Sequence, residues 1–286
     1  MIESKYLHSR SLLFVPAGKL DKWDKAVSSG ADILCIDLED SVPPAKKSDS
    51  RNVVFNFLEN GNLKHPFVIL RINGPNTDEG NLDLDMIREL EHPVNGLMIP
   101  KIDDASLLET VGKQLIMFGK KTFLFPLIES SRAILYVRSI LTRNLVAGAV
   151  FGGHDLAMEL GCSKEWDVLS AYRSQMILGA GGLGLTLLDM PWFGLDDEEG
   201  LRRESVQAKS FGFTGKTAIH PGQISTIHSV FTPTEQEIDE AEEMIRLFEE
   251  NEGHATVWKG TILEPPVIER AKKLLKKARA FERVGH

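Results

Sequence analysis

The chain has 286 residues, 42% apolar and 26% charged, and a formal net charge of −8. This is the composition of a globular protein with ample core, and the acidic balance without a basic stripe argues against nonspecific nucleic-acid binding. Two distant cysteines, Cys35 and Cys162, make neither a disulfide framework nor a thiolate metal site, and no apolar stretch or leader pattern marks a membrane span or secretion signal, so a cytoplasmic protein is expected.

Taken in order, apolar runs occur at Ser11–Ala17, Ala31–Leu38, Phe67–Ile72, Gly96–Ile102, Thr122–Ile128, Leu145–Phe151, Leu185–Met190 and Gly215–Ile219. Amphipathic or polar stretches such as Asp21–Ser29, Ser106–Gly119, Ser131–Asn144 and Asp196–Phe211 separate them. Buried strands alternating with helical patterns predict βα units and a parallel sheet. Eight such units are what a closed TIM (β/α)8 barrel needs. An open doubly wound sheet competes, but it would usually show a Gly-rich phosphate turn after its first strand, and Pro16-Ala-Gly-Lys19 lacks that fingerprint.

A barrel carries its chemistry at the C-terminal ends of its strands. The second run ends in Asp37-Leu-Glu39-Asp40, the third in Arg71-Ile-Asn73 and the fourth in Pro100-Lys101. The fifth, TFLFPLIES, ends in Glu129, and the sixth is followed by Asp155 of GGHDL. Asp189 lies on the seventh, and the eighth ends in His220-Pro221. A charge beside such an apolar run needs a partner, water or a metal. Two carboxylates on consecutive strand ends suit a hard divalent cation that keeps several waters, so Glu129 and Asp155 are read as metal ligands. Pairing with barrel lysines is the structural alternative.

The other polar strand ends have plainer readings. Asp37, Glu39 and Asp40 cannot all face the mouth, and Asp40 suits a turn or helix cap. Lys101 and Asp189 are expected to pair across the barrel, and His220 to be a structural hydrogen-bonding residue. His154 is expected to point away from the site, and GAGGLG (179–184) to end a helix and turn the chain. After the barrel comes an acidic helix, Thr234–Glu250, opening with the capping pattern Thr234-Glu-Gln-Glu237. A loop then leads to a basic helix, Pro265–Glu282. The expected division is a barrel over 1–232 and a helical lid extension over 233–286.

The strings RSLLFVPA, GADILCIDLEDSV, VILRING, GLMIPKI, FPLIES, FGGHDLAMELG, GFTGKTAIHPGQ and GTILEPPVIERA run in order from Arg10 to about Ala271. In them the chain resembles the citrate lyase beta-subunit-like branch of the HpcH/HpaI aldolase superfamily, which includes malyl-CoA and citramalyl-CoA lyases. The resemblance implies a Mg2+-dependent TIM-barrel lyase, a homotrimer or dimer of trimers, that splits a hydroxyacyl-CoA thioester into acetyl-CoA and a 2-oxoacid. It implies Glu129 and Asp155 as metal ligands, with Glu129 also at the substrate, and Arg71 on the oxo or enolate oxygen. Asp37, Glu39 and Asp40 match the acidic motif that supports the metal-bound waters, Asp37 being taken with Arg71 as catalytic. Arg10 and Lys19 match positions that contact CoA. Glu264 stands where the family's lid often carries an Asp that acts as acid/base in a neighbouring subunit's site. A thioesterase, a malate-synthase-like condensing enzyme, or a citrate lyase subunit acting on an acyl-carrier protein are the alternatives on the same scaffold.

Overall fold

The protein is described here by a computed structural model covering residues 9–60, 63, 65 and 67–282. The ends of the expected two-part division, 1–8 and 283–286, lie outside the described residues. Eight parallel strands close into a barrel in sequence order: β1 (Ser11–Pro16), β2 (Ile33–Asp37), β3 (Val68–Arg71), β4 (Gly96–Ile99), β5 (Phe123–Ile128), β6 (Gly148–Phe151), β7 (Thr186–Asp189) and β8 (Gly215–Ala218). Each lies inside one of the eight apolar runs, and β8 returns to β1 with Ser11 opposite Lys216. Register places Asp37 opposite Arg71, so pairing of β2 with β3 alone brings an acid beside a guanidinium at the barrel mouth.

Alternation along the strands separates two cores. Leu12, Ile33, Ile69, Met98, Phe125 and Leu188 belong to a cluster filling the barrel. Their strand neighbours, such as Leu13, Leu34, Leu70 and Leu97, pack outward against the helices. Phe125 lies between two bare positions: a Cβ on Gly96 would come within 2.8 Å of its ring, and one on Gly148 within 2.7 Å.

The helices are more numerous and more broken than the sequence suggests. Lys47–Asn60, Asp78–Glu89 and Trp166–Ala180 are helices that the apolar pattern did not single out. The expected stretch Ser131–Asn144 divides at Tyr136 into Ser131–Leu135 and Val137–Leu141. Trp166–Ala180 ends at the GAGGLG segment, where Gly182 and Gly184 take positive φ, as expected of a turn. Among the described residues no helix is long and apolar enough to cross a membrane.

Beyond the barrel, the acidic helix Glu235–Glu250 begins with the expected reciprocal cap between Thr234 and Glu237. It leads to a small antiparallel ribbon, β9 (Thr256–Trp258) and β10 (Thr261–Leu263), and back along the basic helix Pro265–Glu282. Trp258, Leu263 and Ile268 form a cluster of their own with Met244 and Phe248. Contacts with the barrel are made at the foot of this hairpin. Lys209 meets Glu237 at 3.3 Å, and the Arg10 guanidinium covers Phe281 at 4.4 Å. Among the described residues, those lining the mouth cavity all come from the barrel.

Candidate active site

Arg71 organises the mouth. Its Nε and Nη2 each donate to Asp37 at 2.6 Å, a fork-to-fork pair of the strongest neutral-pH kind. Nη1 reaches Glu39 at 3.0 Å and Asp40 at 3.1 Å, and Phe14 lies 4.9 Å under the guanidinium. Asp37 also accepts the N–H groups of Glu39 and Ser41. Burial alone would raise the Asp37 carboxyl, but the hydrogen bonds and charge of Arg71 outweigh it and hold it below the ordinary carboxylate range. Asp37, expected to act with Arg71 in catalysis, thus has both oxygens engaged by the Arg71 fork and by main-chain N–H groups. From behind, Lys47 donates to the carbonyls of Leu38 and Glu39 and pins the acidic loop.

Glu129 sits at the end of β5, only 8% exposed, and accepts the main-chain N–H of Lys101 at 2.7 Å. Burial pushes its carboxyl up to about 8, with the charges of Glu39 and Asp155 adding to the shift. Burial also raises Asp155, and the Asp40 charge adds to it. Glu39 is likewise raised, by burial first and then by Asp40. Gly152 lets β6 approach this closely, since a Cβ there would lie 2.4 Å from Glu129 Cβ. These carboxylates lie close enough for their charges to raise one another. Among the described residues no three His, Cys, Asp or Glu side chains form a complete ligand set. A pair of carboxylates fits an ion that keeps most of its waters, as Mg2+ does.

A cavity of about 550 Å³ opens at the mouth, lined by Asp37, Arg71 and Asp155 and by the apolar Phe14, Met158, Met190 and Phe193, while Glu129 is not among its lining residues. A side cleft of about 180 Å³ shares Phe14 and Pro16 with it and is lined by Lys19, Lys22 and Lys25.

Three expectations fail on geometry. Arg10 precedes β1 and therefore lies at the floor of the barrel, a strand's length from Lys19. Its guanidinium is spent on Asp32 at 2.7 and 3.0 Å and on Thr232 at 2.9 Å, so it is a structural joint and not a contact for CoA at the mouth. Lys101 and Asp189 do not pair. Lys101 Nζ lies 3.3 Å from Glu39, while Asp189 is buried against Arg173 and Lys216, both at 2.8 Å. His154 is exposed and lines the cavity, in ring contact with Phe193 at 5.4 Å, instead of pointing away. His220 is structural as expected, its Nδ1 accepting the Gly222 N–H. Glu264 is exposed on the hairpin, outside its own chain's cavity.

Reasoning from the sequence missed the cluster of Arg173, Asp189, Lys216 and Glu204. Lys216 Nζ joins Asp189 to Glu204, and the Arg173 guanidinium lies between Phe151 and Trp166. A charged residue inside β8 was the available signal.

A family model described as HpcH/HpaI aldolase/citrate lyase matches residues 10–221. The chain belongs to the HpcH/HpaI aldolase/citrate lyase family. A second model, a C–C bond lyase of the TIM-barrel fold, matches residues 165–282 and so carries the family match through the terminal hairpin. The protein is thus an enzyme of a carbon–carbon lyase family. A (3S)-malyl-CoA thioesterase of Cereibacter sphaeroides is 35% identical over 277 residues, 95% of each chain. The mitochondrial citramalyl-CoA lyase of Mus musculus is 29% identical, over 95% of this chain and 86% of that one. The Mycobacterium tuberculosis protein CitE, solved in complex with magnesium, acetoacetate and coenzyme A, superimposes with a TM-score of 0.79 at 26% identity, covering 96% of this chain and 99% of that one.

Proposed function

We propose that this family member is a Mg2+-dependent lyase that cleaves a hydroxyacyl-CoA thioester, of the citramalyl-CoA, malyl-CoA or citryl-CoA type, into acetyl-CoA and a 2-oxoacid. The observation that carries this reading is a guanidinium locked by Asp37 beside two under-neutralised carboxylates, Glu129 and Asp155, at one open mouth. The names of the relatives supply the substrate class.

Glu129 and Asp155 would hold the ion, which when bound supplies Lewis-acid polarisation of the oxoacid's carbonyl. Arg71 presents forked donors to the oxygen that gains charge as the carbon–carbon bond breaks, and Asp37 keeps that fork from turning. Phe14, Met158 and Phe193 line the cavity and offer an apolar surface to the acyl part. Lys19, with Lys22 and Lys25, offers cations to the phosphates of CoA in the side cleft. Glu264 acts as the proton-transfer group in a neighbouring subunit's mouth, within a homotrimer or hexamer. Its exposure on a hairpin footed on the barrel floor supports that assignment. Hydrolysis of the thioester is the second reading, favoured by the 35% identical malyl-CoA thioesterase.

The deciding experiment incubates the protein with Mg2+ and a panel of hydroxyacyl-CoAs, following 2-oxoacid and free CoA separately. Oxoacid with acetyl-CoA is expected, whereas free CoA without oxoacid makes the chain a thioesterase. Mixing inactive Glu264→Gln chains with inactive Arg71→Lys chains is expected to restore turnover. No recovery in mixed oligomers removes Glu264 from the neighbour's site.

A further inference from the structure

Lys101, the residue after β4 and Pro100, has φ +55°, a left-handed conformation that a side-chain-bearing residue adopts at a cost. The cost has a visible return. In this conformation the Lys101 main-chain N–H points at Glu129 Oε1, 2.7 Å away. The other carboxylate oxygen, Oε2, is left on the Gly152 side, 3.3 Å from where a Cβ on Gly152 would stand. With an ordinary negative φ at position 101, the peptide would turn and this donor would be lost. We propose that Lys101 is a positioning residue whose left-handed main chain, and not its charge, aims Glu129 at the divalent ion.

Glycine would hold the same backbone without strain, so the retained side chain needs its own explanation. The stem runs over Gly74, where a Cβ would lie 3.4 Å from Lys101 Cδ, and the ammonium lies 3.3 Å from Glu39 Oε1. Glu39 also receives Arg71 Nη1 at 3.0 Å. Thus one residue ties the end of β5 through its backbone and the end of β2 through its side chain. The two ties are separable, because only the first depends on φ.

This inference rests on the metal reading above, and its test keeps the two apart. Lys101→Gly, Lys101→Ala and Lys101→Val all delete the ammonium, but they tolerate a left-handed φ in falling order, Gly before Ala before the β-branched Val. Mn2+ alone is titrated into each ligand-free protein and followed by electron paramagnetic resonance. Lys101→Gly is expected to stay within about twofold of the parent and Lys101→Val to bind about tenfold more weakly, with Lys101→Ala between them. Equal losses in all three variants, or none in any, overturn the proposal.

A parent that binds no Mn2+ sinks the metal reading only. Melting temperatures of the metal-free variants then decide the Lys101 claim. The gap between Lys101→Gly and Lys101→Val is expected to shrink when Glu129→Ala removes the acceptor. An unchanged gap shows that the backbone at 101 does nothing for Glu129.

Discussion

The acidic mouth at the ends of β2 to β6 and the ionic cluster beneath β7 and β8 are built from the same materials and have opposite characters. Beneath β7 and β8, two acids, Asp189 and Glu204, meet two bases, Arg173 and Lys216, and every partner is within 2.8 Å of another. That cluster is buried and charge-balanced. Its Asp189 carboxyl, which burial would raise, is held low by the charges of Lys216 and Arg173. At the mouth, Asp37, Glu39, Asp40, Glu129 and Asp155 face Arg71 and Lys101, an excess of negative charge. There burial and mutual repulsion drive several carboxyls upward. A closed ionic cluster specifies a structure, and an open one is a place for something to bind.

The comparison breaks most visibly at Arg71. Arg71→Lys keeps a positive charge near Asp37 but loses the fork, and kcat is expected to fall by about 10²–10³. Steady-state turnover of the best hydroxyacyl-CoA checks this, and near-parental kcat removes Arg71 from its role. Arg173→Met is expected to do the reverse. It leaves Asp189 and Glu204 to share Lys216 as their one buried cation and costs about 3 kcal/mol in denaturant unfolding, while Mn2+ affinity of the folded fraction stays unchanged. A loss of Mn2+ affinity there would mean that the two clusters are coupled.

The smallest expected effect is one of pH. Glu129 binds its proton more tightly folded, near pH 8, than at its ordinary 4.5. Its contribution to stability is therefore full below pH 4.5 and is lost as pH rises through about 8. Glu39 and Asp155, also raised, add to the same trend. His228 runs the other way: burial lowers it to about 4 from 6.5, so its contribution grows over that interval and is complete above it. Lys277, lowered by burial to about 8, opposes the Glu129 trend as pH nears that value, so the metal-free protein should lose about 1 kcal/mol per pH unit just above pH 6.5 and less toward 8, read as a falling melting temperature. Saturating Mg2+ should flatten that slope. A melting temperature that is level without metal argues against the crowded carboxylates.

What the sequence made legible was what strand periodicity and strand-end placement govern. Eight apolar runs give eight strands because each is buried on both faces, and Glu129 and Asp155 stand out as acids beside such runs. The reciprocal cap of Thr234 and Glu237 is local chemistry and is equally readable. Arg10 was placed by its motif alone, although its position just before the first strand already assigns it to the floor of the barrel. Arg173 and Glu204 sit in helices, where a single charge looks like an ordinary solvated face until the neighbouring strand supplies its partner. The turn of Lys101 into left-handed space leaves no compositional trace, since lysine is not a residue that announces it.

Phe125 has a consequence for how this barrel can drift. The ring fills volume that β4 and β6 vacate by carrying glycine, yet those two glycines are not equivalent. At Gly148 the Thr186 carbonyl oxygen would stand 2.5 Å from a new Cβ, so the backbone itself forbids any side chain there. At Gly96 the obstacles are the Phe125 ring and the Ile69 methyl, both movable or replaceable. A smaller residue at 125 can consequently be compensated from β4 alone, and substitutions accepted at 96 and 125 should occur in pairs while 148 stays fixed.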